Sequence, residues 1–152
     1  MANSPPTPAE IDAFVQHVIG WSQTLQRAAD VAVQKAQAQR ASGAVSFVAL
    51  NRTLQDKITL TEHCSRMVAS ASSVLLTVAR SELAPLEQAT ERLAAASERL
   101  DAVTDGVELA SRLVVAGAAV AAALAAPAVG TIGAAAGALV KVVQGAGDAS
   151  GE

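Results

Sequence analysis

Residues 111–143 read SRLVVAGAAVAAALAAPAVGTIGAAAGALVKVV, and the 28 positions from Leu113 to Val140 carry no charged side chain. A run of roughly 18 or more apolar residues is long enough to be a transmembrane candidate. As one helix this stretch would span about 42 Å, against about 30 Å of hydrocarbon. Its hydrophobic strength is modest. Thirteen of the 28 residues are Ala and only nine are Val, Leu or Ile. At about −0.3 to −0.6 kcal/mol for each of the nine, insertion is favoured by only about −3 to −5 kcal/mol.

Pro127 divides the run, because proline removes a backbone donor and disrupts a helix interior. Two arms result, about 112–126 and 128–143, each about 22–24 Å long as a helix and too short to cross alone. A kinked span and a hairpin both fit. Gly133 and Gly137 form a GxxxG step, and Gly117 with Ala121 repeats the small-residue spacing on the first arm, which favours close helix approach. Gly117, Ala121, Leu124, Pro127, Gly130, Gly133 and Gly137 are therefore the residues expected to make the membrane contact or the packing of a glycine zipper. The arms can be buried in lipid, which the length favours, or inside a soluble bundle or an oligomer interface.

Upstream, the chain reads as amphipathic helices. Thr7, Pro8 and Glu10 form a capping-box start, after a flexible tail over residues 1–7. Ile11, Phe14, Val18, Trp21, Leu25, Ala28 and Ala32 then recur in steps of three and four, the period of one helical stripe. This predicts helix one over about 8–41, with Trp21 in the core and Gly20 admitting a neighbour. Ser42–Gly43 supplies a turn.

Helix two is predicted over about 44–80. Its stripe is Phe47, Leu50, Leu54, Ile58, Thr61, Cys64, Val68, Ala71, Leu75 and Val78, with a bend near 59–61. Leu86, Leu93, Leu100, Val107 and Val114 lie seven apart, a coiled-coil seam that predicts helix three over about 85–112. The segment 8–112 thus reads as a three-helix bundle or stalk, 113–143 as the apolar hairpin or kinked segment, and 144–152 as a disordered polar tail. The fold class is all-α.

Charge narrows the partners. The net charge is −3 and aromatics are 2% of the chain. No clustered basic face is present to release counterions from a phosphate backbone, so nucleic acid is not an expected partner. Helix two is net basic and helix three net acidic, which favours their pairing. The single cysteine, Cys64, allows no intramolecular disulfide. The opening MANSPPTPAE lacks the basic and apolar regions of a secretory signal, and none is expected.

Catalytic constellations are missing. Glu62, His63 and Cys64 are consecutive, and on a helix consecutive side chains diverge by about 100°. A Cys–His dyad needs hydrogen-bond reach, so Cys64 is expected to pack while Glu62 and His63 face solvent. His17 and His63 lie on different helices and give no metal spacing. The glycines of GTIGAAAG lack the Lys-Ser/Thr of a phosphate loop. No catalytic, cofactor-binding or metal residue and no small-molecule substrate is expected.

Amphipathic helices beside an Ala/Gly-rich hairpin give a layout similar in kind to helical pore-forming toxins and to hydrophobic translocators of secretion systems. The resemblance is one of architecture, and it implies membrane engagement through self-association. The resulting expectation is a non-enzymatic helical protein that associates with or inserts into lipid membranes through 113–143. It would be membrane-associated, or cytoplasmic with conditional membrane binding, and would associate with itself or with partner helices. The alternative is a soluble all-α interaction or scaffold module with the hairpin buried.

Overall fold

The computed structural model describes residues 7–74, 83–125 and 131–150. Among these the regular structure is entirely helical: α1 (Pro8–Ala41), α2 (Phe47–Val74), α3 (Leu83–Ser97), a 3-10 turn (Leu100–Ala102), α4 (Gly106–Ala125) and α5 (Thr131–Ser150). The helices pack against one another as an all-α bundle. α1 and α4 pack on each other, α2 packs against both, α5 packs against α4, and α3 packs against α1 and α5.

α1 starts as the sequence dictates. The Glu10 amide donates to Thr7 Oγ1 at 3.2 Å and the Thr7 amide to Glu10 Oε1 at 2.9 Å, closing the capping box with Pro8 in the first turn. Its stripe is buried from Phe14 through Val18, Trp21, Leu25, Ala28 and Ala32 to Ala36, with Ile11 half-buried. The chain reverses at Gly43, whose φ of +81° only glycine adopts without strain. Ser46 Oγ then accepts from the Ala49 amide at 3.1 Å and starts α2.

α1 and α2 are antiparallel. Lys57 pairs with Asp30 at 2.7 Å, and the Cys64 thiol donates to the Ser22 carbonyl at 3.7 Å, so numbers rise on one helix as they fall on the other. α2 runs unbroken through 59–61, where a bend was expected. The larger correction is its rotation. The buried face is Thr53, Leu60, Cys64, Met67 and Ala71, whereas the predicted stripe included Phe47, Leu54, Ile58, Thr61 and Val68, all exposed. Leu75 and Val78 lie outside the described residues.

The single helix expected over 85–112 is two helices. α3 ends at Ser97, whose hydroxyl donates to the Ala94 carbonyl at 2.7 Å, and α4 begins at Gly106. Asp105 caps the new helix: its Oδ1 accepts from the Glu108 amide at 3.0 Å. The proposed seam is divided accordingly. Leu86 and Leu93 on α3 and Leu100 in the 3-10 turn are buried, while Val107 and Val114 are half-buried on α4. α5 extends to Ser150, through residues expected to be an unstructured tail.

Candidate interaction surfaces

The described part of the charge-free run lies on α4 and α5, two 20-residue helices packed on each other. Pro127 and Gly130 lie outside the described residues. α4 is long and apolar enough to cross a membrane. In this fold Leu109, Leu113, Val120 and Leu124 point inward and are buried, as are Gly117 and Ala121. It packs on α1, α2 and α5. Its outward face carries Glu108, Ser111, Arg112, Val115, Ala119 and Ala122, with Glu108 and Arg112 joined in an ion pair one turn apart. α5 buries Ile132, Ala135, Ala136, Leu139, Val140 and Val143 at helical spacing and packs against α3 and α4.

The small residues divide into two groups. A Cβ on Gly117 would stand 2.6 Å from Leu60 Cδ1, so this glycine is where α2 and α4 approach closely. Gly133 and Gly137 would meet nothing within 4 Å; their spacing does not serve the packing seen here. Gly20 likewise admits no close neighbour. The approach that sequence reasoning missed is Gly106, which abuts the α1 backbone and whose amide donates to Gln39 Oε1 at 3.0 Å. Its signal was the Asp105–Gly106 pair with Glu108 following, a helix start read as helix interior.

Cys64 and His63 face different neighbours. The thiol is buried beside Ser22, and desolvation pushes its pKa upward, only partly opposed by hydrogen bonds from Ser22 and Gln26. His63 is half-buried on the α4 side, where its Cβ and Cδ2 lie about 4 Å from the Cβ position of Gly117. A buried protonated thiol is a poor nucleophile. Among the described residues no three His, Cys, Asp or Glu side chains gather where they could hold a metal ion. Trp21 is a core residue: its Nε1 donates to Thr90 Oγ1 at 2.8 Å, and its ring meets Phe14 edge-on at 6.3 Å.

What remains outward and apolar lies mainly on α2. Phe47 is 67% exposed and Ile58 63%, with Val48, Leu54 and Val68 also exposed; Val115 of α4 is 70% exposed. Scattered surface apolar groups are ordinary, but a row at helical spacing on one helix presents a contact face. Comparison with protein-family models, with curated proteins and with solved structures finds no match to this chain.

Proposed function

We propose that the protein is a non-enzymatic helical interaction module, with its apolar hairpin serving as internal core and α2 presenting the contact face. The observation that carries this reading is the opposite orientation of the two helices: α4 turns Leu109, Leu113 and Leu124 inward while α2 turns Phe47, Leu54 and Ile58 outward. Magnitudes support it. Burying four large side chains of α4 in the bundle is worth about 1.5–3 kcal/mol each. Transferring its seven Leu and Val residues to a bilayer centre returns about 0.3–0.6 kcal/mol each, before the cost of Glu108 and Arg112.

A second reading, conditional membrane insertion with oligomerisation, is favoured by one observation: α4 has the length and composition of a span, and Val115, Ala119 and Ala122 leave much of its outer face apolar. In that mechanism the bundle shelters the hairpin until lipid replaces α1 and α2 as its surroundings.

Flotation of the full chain with vesicles of phosphatidylcholine and phosphatidylglycerol separates the two. Val115→Glu and Ala122→Glu place charge on a face that is exposed in the bundle, so the fold tolerates them, whereas each carboxylate at a bilayer centre costs about 2.5–3.5 kcal/mol. The module reading expects wild type and both variants to remain unbound. Flotation of wild type that either substitution abolishes would overturn it in favour of insertion.

A further inference from the structure

The outward face of α2 has the order of a seam. Phe47, Asn51, Leu54, Ile58, Thr61 and Val68 follow at steps of four, three or seven, so they fall on one side of the helix. All six are exposed, while α1 and α4 occupy the side marked by Thr53, Leu60, Cys64 and Met67. Resting on the reading of the chain as a helix-association module, we infer that a second copy of this chain covers this face, the two α2 helices running parallel about a two-fold axis.

The residues specify that occupant. Parallel two-fold pairing sets each seam residue against itself. With Ile58 at an a position and Leu54 at a d position, the layers have the β-branched and γ-branched order that favours two strands. Asn51 and Ser65 occupy the two flanking a positions; Asn51 meets its own copy, amide to amide, a polar layer of the kind that fixes register and strand number. Thr61 already donates its hydroxyl to its own Lys57 carbonyl at 2.9 Å. It therefore brings a methyl group to the seam without an unmet donor.

Charge selects the direction. Lys57 and Glu62 flank the seam on opposite sides, five residues apart. A parallel pair places Lys57 of each chain beside Glu62 of the other, twice over. An antiparallel pair would set each flank against its own kind and lose this match. Lys57 remains 45% exposed while paired with Asp30, so its ammonium can lie between Asp30 and the incoming carboxylate. The seam from Phe47 to Val68 is about 32 Å long. One helix face of that length lies at the low end of specific interfaces, which makes the dimer concentration-dependent.

Analytical ultracentrifugation of the full chain, from about 1 µM to about 500 µM, tests this. The expected result is a monomer–dimer equilibrium that Ile58→Asp weakens by about tenfold or more, with circular dichroism and thermal unfolding unchanged because Ile58 is a surface residue. Lys57→Glu weakens it, and adding Glu62→Lys restores it. Both variants lose the Asp30 pair equally, so the recovery reads only the contact between chains. Asn51→Cys cross-links to itself on oxidation. A chain that stays monomeric throughout, or a dimer without the charge-swap recovery, overturns the inference. A dimer indifferent to Ile58→Asp overturns this seam while leaving the broader module reading in place, which the vesicle experiment with Val115→Glu decides separately.

Discussion

Gly106 at the start of α4 lies against the backbone of Ala32 in α1: a Cβ there would collide with the Ala32 carbonyl oxygen and stand 2.6 Å from the Ala36 nitrogen. Backbone atoms in a packed helix cannot step aside as a side-chain end can. Gly106→Ala should therefore destabilise by about 1–3 kcal/mol. Gly117→Ala meets only the tip of Leu60 and should cost less. Gly137→Ala, with open space around it, should stabilise by about 0.5–1 kcal/mol through helix propensity. Urea midpoints of the three variants check the order.

Trp21 and Thr90 join α1 to α3 through one part-buried side-chain hydrogen bond. Thr90→Val keeps the shape and removes the acceptor, leaving the indole N–H unsatisfied at a cost of about 1–3 kcal/mol. Trp21 is the sole tryptophan, so its emission during denaturant unfolding reports both the loss of stability and any change in its surroundings.

Cys64 gives the fold an alkaline limit. Its thiol pKa is raised by burial above the ordinary value of 9.0, so the native chain holds the proton that the unfolded chain gives up. Its contribution is intact below about pH 9 and is lost as pH rises through the folded-state value. Stability measured at about pH 8 and about pH 10 should fall more for wild type than for Cys64→Ala. The native thiol should label slowly, at a rate that unfolding limits.

Asp56, half-buried on α2, has the opposite operating range with the same sign. Burial raises its carboxyl pKa from 3.8, and Arg52 only partly restores it. The native state therefore binds the proton more tightly, and its share of stability erodes as pH rises through that raised value. Asp56→Asn should flatten this slope on the acid limb of a thermal-stability profile, and Arg52→Gln should steepen it.

Much of α1 was legible because its signals agree: capping box, uninterrupted stripe and terminal turn all point the same way. α2 was not. Its apolar residues occupy two faces, one with Leu60 and Met67 and one with Phe47, Leu54 and Ile58, and periodicity cannot say which face meets a neighbour. The seven-residue spacing beyond Leu86 continued past the true end of α3 because it is blind to the capping signal at Asp105. The GxxxG step at Gly133 was visible, but open space surrounds both glycines and it serves no packing within this fold. The tight approach belonged to Gly106.

By itself the sequence determined that this chain is helical, where α1 begins, and that a charge-free Ala-rich segment near its end must be hidden from water. These follow from local backbone chemistry and hydropathy. Only the tertiary structure decided that α4 is hidden among α1, α2 and α5, that α2 buries Leu60 and Met67 while Phe47, Leu54 and Ile58 face outward, and that α4 opens at Gly106. The physical reason is that burial is non-directional: apolar surface gains from leaving water whatever receives it, and only the shapes of the surrounding helices select the receiver.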